Sequence, residues 1–272
     1  MYFVTLTRKM GTNGSEIARR VADELQYALY DTAAIENAAR EMGFLKDVQS
    51  VDEKVPSIFE RLFSHRPEAY LDRLSAVIYE LASRGNAVFL GRGSHILLKT
   101  VPCALHIRVT ASPEKRIQNL AARGYDKGAA LTAMNESDHE RGAFIKFAFG
   151  VDWDNSELYD VVFNMDNVTT ELAADTILHM ARSEEIKSRS TDAMKSLEMM
   201  ALARRAGAAL IEAGFVPPRV SVSVVEQGRA QLTGLVAERR IVTEAEKVLN
   251  GVKGITSVDN QIRVVPGSVA YT

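Results

Sequence analysis

Cysteine is almost absent: Cys103 stands alone in 272 residues. One thiol excludes an internal disulfide and any zinc site built on cysteines. Beside the apolar stretch that starts at Ala104, its expected role is a small buried side chain. No run of the sequence nears the roughly 18 apolar residues that a membrane helix needs. The first residues also lack the shape of an export signal, since the apolar run Tyr2–Leu6 is short and the basic pair Arg8-Lys9 follows it. A cytoplasmic chain with no membrane span is the expectation. Positive charge is not in excess, with a formal net charge of −2, and no basic stripe is interleaved with aromatics. Nucleic acid is therefore not an expected partner. The histidines His65, His95, His106, His139 and His179 show no metal-ligand spacing. Tryptophan occurs once, as Trp153, where a packing anchor is the ordinary role and stacking on a base the alternative.

What is present suits a soluble globular protein: 46% hydrophobic and 25% charged residues over a length that accommodates two domains. The chain is organised around Thr7-Arg8-Lys9-Met10-Gly11-Thr12-Asn13-Gly14-Ser15-Glu16-Ile17, which joins the apolar strand Tyr2–Leu6 to a helix. Ile17, Val21 and Leu25 recur at helical spacing, and Asn13 and Ser15 are good capping residues. Strand, glycine-containing turn and helix is the layout of a phosphate cradle, in which backbone N–H groups and a helix N-terminus face an anion. It is also the layout of an ordinary βα turn. The strict G-x-x-x-x-G-K-[ST] pattern is not met, because either alignment of the glycines leaves Gly14 or Ser15 where the lysine belongs. Arg8 or Lys9 would be the cation available to replace it from the other side of the loop.

Further along, Leu29–Thr32 is a short extended piece followed by a helical stretch through Met42. Residues 46–66 read as an irregular insert or small helices. A helix over 68–84 is stopped by Gly85-Asn86. Ala87–Leu90 is a strand buried on both faces and ends in Gly91-Arg92-Gly93-Ser94. Ala104–Val109 is a strand, and Ser112-Pro113-Glu114 opens a helix. A charged helical segment at 127–148, a strand at 159–164 and a helix capped by Thr169 follow. Alternation of strands and helices predicts an α/β fold, a parallel sheet with helices on both faces and ligands at the carboxyl ends of its strands. Thr7–Ser15, Asp31-Thr32 and Gly91–Ser94 all fall there. The polar stretch 184–196 reads as a linker. Beyond it the order is helix, two strands with alternating valines, helix and strand: a small α+β unit (α-β-β-α-β) over 197–266 with its own core.

Residues 1–183 resemble the cytidylate kinase-like family of P-loop kinases. The matching pieces are Thr7–Ala18, Tyr30–Thr32, Leu90–Gly93, Ala111–Arg116, Asp138–Arg141 and Phe149–Trp153. Residues 197–266 resemble a BON domain, through the alternating valines, Leu232-Thr233-Gly234 and Val252–Val258. The first resemblance implies an ATP- and Mg2+-dependent phosphotransferase acting on nucleotides. It places ATP phosphates on Gly11, Thr12, Asn13, Gly14 and Ser15, with Arg116 and Arg123 lining the lid as further phosphate contacts, and the acceptor on Asp31, Thr32 and Arg92. Asp138 and Arg141 fall at lid positions, with Arg92, Arg141 and Asp138 as the catalytic residues. The departures are the absent lysine, Gly93 in place of an aspartate, and Asn37 in place of an acceptor-binding arginine, for which Arg40 is the substitute one turn on.

Arginine suits phosphoryl transfer because its planar fork is permanently charged and grips phosphate bidentately. Each arginine also has a plainer reading. Arg92 would be a surface salt bridge, Arg141 an i,i+3 pair with Asp138, and Arg116 with Arg123 a solvated helix face. A magnesium ion would take one hydroxyl, Ser15 or Thr12, and one carboxylate, Glu16 or Asp31, besides phosphates and water. The BON-like unit has no catalytic constellation and reads as an interaction or regulatory module for a protein partner or small ligand. Its edge strand offers a route to a homo-oligomer. Two functions follow: an ATP-dependent nucleoside monophosphate kinase, or a degenerate nucleotide-binding sensor or scaffold acting through the C-terminal module.

Overall fold

The computed structural model describes residues 3–42, 67–184, 193–215, 217 and 219–265. The irregular insert expected at 46–66 and most of the expected linker lie outside these residues. The chain divides into two compact units, residues 1–38 with 84–193 and residues 39–83 with 194–272.

The first unit is built on five parallel strands: β1 (Phe3–Arg8), β2 (Ala28–Tyr30), β3 (Ala87–Leu90), β4 (Ala104–Thr110) and β5 (Val161–Asn164), in the order β2-β3-β1-β4-β5. Parallel neighbours need crossover helices, which is why strands and helices alternate along the sequence. In order of appearance these are α1 (Gly14–Leu25), α2 (Thr32–Glu41), which continues into the second unit, and α4 (Ser94–Leu97), followed by α5 (Pro113–Ala121), α6 (Lys127–Phe149) and α7 (Thr170–Ala181). Val4 and Leu6 of β1, Val88 and Leu90 of β3, and Ile107 and Val109 of β4 form one core with Ile17, Val21 and Ile177. Side chains alternate across a strand, so Arg8 continues the face of Val4 and Leu6, whereas Thr5 and Thr7 point the other way. Cys103 is fully buried, and burial pushes its thiol pKa up. The central position of β1 brings its carboxyl end between those of β3 and β4.

Ser112, Asp126 and Thr169 cap their helices through their side chains, as their residue types favour. Asn13 differs from the expectation. It stands at the cap position of α1 in the left-handed conformation, φ 59°, with no side-chain bond to the helix. Ser15 lies inside the helix and is exposed. The strand expected from 159 starts at Val161, because a 3-10 turn over Ser156–Leu158 precedes it.

The second unit holds α3 (Pro67–Ser83), α8 (Ala193–Glu212), β6 (Val220–Glu226), β7 (Arg229–Val236), α9 (Arg239–Asn250) and β8 (Ser257–Val264). The sequence places α3 within the stretch read as the first domain, yet it packs along α8. Arg204 Nη1 donates to Asp72 Oδ1 at 2.7 Å, and Arg73 pairs with Glu212. β6 and β7 form an antiparallel hairpin through the Gly228 turn, and β8 returns parallel to β7 after α9. Ala206, Leu210, Val220, Leu232, Val236, Leu249 and Ile262 form its core.

Candidate active site

The loop between β1 and α1 is held from outside by side chains of α5 and α6. Arg116 Nε donates to the Met10 carbonyl at 2.6 Å, and Asn119 Nδ2 to that of Gly11 at 2.8 Å. Arg141 Nη1 donates to the Arg8 carbonyl at 2.8 Å, and Arg123 Nη2 to the Asn13 side-chain oxygen at 2.7 Å. Thr12 is fully buried and donates its hydroxyl to the Lys9 carbonyl at 2.8 Å. The acceptors of the loop are thus engaged by the protein. Its donors are not: among the described residues, the amides of Met10, Gly11, Thr12, Asn13, Gly14 and Ser15 donate to no protein acceptor. Consecutive free amides ahead of a helix N-terminus form an anion-binding nest. Gly11 has φ +81°, and a Cβ there would lie 2.8 Å from the Arg116 carbonyl oxygen, so the loop needs glycine on both counts.

The second part of the site follows β3. Gly91, Arg92 and Gly93 are consecutive left-handed residues, with φ of 84°, 57° and 72°. A non-glycine side chain is uncommon there, and such residues mark sites the surrounding structure holds in place. Arg92 is 8% exposed. Its Nη2 pairs with Glu36 of α2, while Nε and Nη1 are buried without a partner among the described residues. The plainer reading of Arg92, a surface salt bridge, is met only in part: the pair exists, but it is buried and leaves two donors of the guanidinium unspent. A Cβ at Gly93 would strike the ring of Phe149, which closes α6. Phe149 fills the space an aspartate at 93 would need, which gives that departure from the family pattern a steric cause.

Asp138 ion-pairs with Arg116 at 2.8 Å, not with Arg141 three residues on. Arg141 reaches the loop instead, so its expected i,i+3 pairing is replaced by support of the Arg8 carbonyl. Burial first, and Arg116 next, lower the Arg141 pKa, with Asp138 opposing. Arg116 is buried rather than on a solvated face, and its Nη2 and Asp138 Oδ1 lack partners. Asp31 Oδ1 accepts from Ala34 N at 2.9 Å and so caps α2, while Thr32 is exposed on its first turn. Arg40 lies near the end of α2, in the part of that helix that belongs to the second unit. Of the two hydroxyls, that of Ser15 is exposed at the N-terminus of α1, whereas the Thr12 proton is spent on the Lys9 carbonyl. Glu16, also exposed, stands beside it. Among the described residues no group of three or more His, Cys, Asp or Glu side chains could hold a metal by itself.

Behind the site lies a buried network that the sequence does not announce. Arg108 of β4 donates to the Trp153 carbonyl, to Asp154 and to Tyr159 Oη, and stacks 4.7 Å from the Trp153 ring centroid. Lys9 pairs with Asp154 at 3.1 Å and lies 5.9 Å from the other partner of that stack, Trp153. Trp153 is thus a packing anchor between two cations. His95 stacks on Tyr159 at 4.9 Å, with Nδ1 3.3 Å from Thr7 Oγ1. Burial, then His106 and Arg108, push its pKa down to about 3. The unfolded chain titrates near the ordinary value of 6.5, so between these values only the unfolded state binds the proton. Stability is full above 6.5 and falls as pH drops through that window, by at most about 1.4 kcal/mol per pH unit for this group. Urea unfolding of His95→Phe, which retains the stack, is expected to show a flatter dependence between pH 6.5 and 4 than the wild type. An unchanged slope would remove His95 as its source.

Sequence reasoning missed Asn119, Glu36, Arg108 and Phe149. A signal existed for Asn119, which shares a helix face with Arg116 and Arg123 at i, i+3 and i+7. Glu36, Arg108 and Phe149 act across the fold and leave no local pattern.

The family model described as the cytidylate kinase-like family matches residues 3–167, and the BON domain model matches residues 201–266. No curated protein matches the chain. Among solved structures, an uncharacterized protein from Eubacterium ventriosum is 21% identical, with a TM-score of 0.53 over 66% of this chain and 97% of that one. The likeness is one of fold. A shikimate kinase from Bacteroides thetaiotaomicron is 14% identical over 67% of this chain and 99% of its own, with a TM-score of 0.41. A gluconokinase from Sinorhizobium meliloti is 14% identical over 69% and 97%, also with a TM-score of 0.41. The first model covers more than half of the chain: the chain belongs to the cytidylate kinase-like family and carries a C-terminal BON domain.

Proposed function

We propose that the N-terminal part of the chain is an ATP-dependent phosphotransferase, moving the γ-phosphoryl group in line to a nucleoside monophosphate or a similar small phosphorylated acceptor. The observation that carries this reading is the run of free amides from Met10 to Ser15, in a loop whose carbonyls are occupied by Arg116, Asn119 and Arg141. Those amides would hold the polyphosphate. The buried Nε and Nη1 of Arg92, at the end of the neighbouring strand, would hold the acceptor's phosphate, with Asp31 and Thr32 opening the helix beside it. Ser15, with Glu16 next to it, would serve a magnesium ion, which supplies positive charge to the phosphates when bound. Arg141 and Arg116 keep the loop in shape, and α6, which carries Asp138 and Arg141, would act as the lid. The BON domain, residues 201–266, would be an interaction or regulatory module with no part in the chemistry.

Phosphoryl transfer asks mainly for positioning and for charge around the transferred group. An acceptor phosphate is already anionic and needs no general base, which fits a site rich in arginine. The test is a magnesium-dependent assay of transfer from ATP across CMP, dCMP, UMP, AMP and GMP. Turnover with one acceptor is expected. The absence of the loop lysine favours a second reading, a nucleotide sensor, for which ATP would bind and no acceptor on any wider panel would be phosphorylated.

A further inference from the structure

We propose that Arg8 is the cation that replaces the missing loop lysine, its guanidinium bridging the polyphosphate held by the Met10–Ser15 amides and the acceptor phosphate held at Gly91–Gly93. This inference rests on the phosphotransferase reading.

Two residues were available for the role, and the structure separates them. Lys9 is committed to Asp154 and to the Trp153 ring. The Arg8 guanidinium has no hydrogen-bonded or ion-paired partner among the described residues. It is partly buried on the face of β1 that also carries Val4 and Leu6.

The path of the side chain is recorded by two glycines. A Cβ at Gly14 would lie 2.6 Å from Arg8 Cβ, and a Cβ at Gly91 would lie 2.9 Å from Arg8 Nη1. The arginine therefore runs from the first residue of α1 to the turn that presents Arg92. Gly14 is the residue that one alignment of the phosphate-loop pattern places in the lysine's position. It lacks a side chain where Arg8 passes. The charge has moved across the loop, from the helix side to the strand side, and the helix position has been vacated to make room.

The electrostatics fit an anion site. Burial, together with Arg141 and Arg92, lowers the Arg8 pKa to about 10, against the pull of Asp31. The group stays charged near neutrality, and neighbouring guanidinium groups raise the benefit of a bound anion. In the reaction the bond between the γ-phosphorus and the bridging oxygen breaks as the bond to an acceptor oxygen forms, and negative charge passes to the β-phosphate. Arg8 neutralises that charge and gives up no proton.

The test uses the full chain with Arg8→Ala, Arg8→Lys, Gly14→Lys and the double variant Arg8→Gly/Gly14→Lys, in which the colliding Cβ of residue 8 is removed as well, each checked for native circular dichroism. Tripolyphosphate with magnesium is titrated by calorimetry, and ATP turnover is measured alongside. Arg8→Ala is expected to weaken tripolyphosphate binding about 10- to 100-fold, the scale of a charge-assisted contact. It is also expected to lower kcat about 100-fold, the scale of removing one preorganised donor. Arg8→Lys should keep most of both. Gly14→Lys alone should damage the site by colliding with Arg8. The double variant should recover tripolyphosphate binding, because it restores the cation to the helix side. Wild-type binding in Arg8→Ala, or no recovery in a folded double variant, overturns the proposal. A wild type that binds tripolyphosphate yet phosphorylates no acceptor refutes the kinase reading, while the binding series still judges Arg8.

Discussion

Replacing Arg92 by alanine is expected to lower turnover by about 10²- to 10³-fold, the range found when a preorganised donor to developing charge is removed. Arg92 is held in a left-handed backbone between two glycines, anchored at Nη2 by Glu36, with Nε and Nη1 buried and unpaired. Buried donors of this kind cost free energy unless a ligand takes them up. The same substitution leaves Glu36 without its cation, so some loss of stability accompanies it. Arg92→Lys separates the two effects. Its ammonium can still pair with Glu36, but it has no fork to offer the acceptor. A folded Arg92→Lys protein should therefore bind ATP normally and show a raised KM for the acceptor with a lowered kcat. Wild-type kcat and KM in either variant would take Arg92 out of the mechanism.

The second large effect concerns the BON domain. Gly234 lies on β7 opposite Val220, and a Cβ there would be driven into the Arg219 carbonyl. That carbonyl accepts from Leu235 N at 3.1 Å, and Val220, next to it, is 3% exposed in the core. Gly234→Ala must push β6 from β7 or rotate the peptide, losing a ladder bond and disturbing packed apolar residues. A cost of about 2–4 kcal/mol is expected, the size associated with backbone collisions in a packed element. Trp153, the one tryptophan, lies in the first unit, so its fluorescence reports that unit. Urea unfolding followed by circular dichroism should begin at lower denaturant in the variant. A circular dichroism transition identical to the wild type would show that the strand pair accommodates the methyl group freely.

Much of the fold is visible along the chain because it is written in local patterns. The apolar run Ala87–Leu90 is buried on both faces, Ser112 and Thr169 cap helices as their chemistry favours, and the alternating valines of 220–224 form a half-buried strand. The site is legible in part. Gly11, Thr12, Gly14 and Arg92 can be singled out because glycines and a basic residue follow apolar strands. What Arg116, Arg123 and Arg141 do cannot be read the same way. Arg116 and Arg141 are directed to the phosphate loop from distant helices and Arg123 from the turn after α5, and sequence spacing says nothing of such bonds. The pairing of Asp138 with Arg116 rather than Arg141 has the same cause: the nearer residue in sequence is not the better placed in space. The membership of α3 in the second unit is also a tertiary fact, fixed by Asp72 and Arg73 against α8.

The kinase reading stands or falls on whether the amides from Met10 to Ser15 receive a polyphosphate. The most direct measurement is an amide-resolved NMR titration of the full chain with ATP and magnesium. The resonances of Gly11, Thr12, Asn13, Gly14 and Ser15 are expected to shift together and saturate with a single affinity, accompanied by the side-chain Nε–H of Arg8. Saturable binding that leaves these amides unmoved would contradict it and place the nucleotide elsewhere on the molecule.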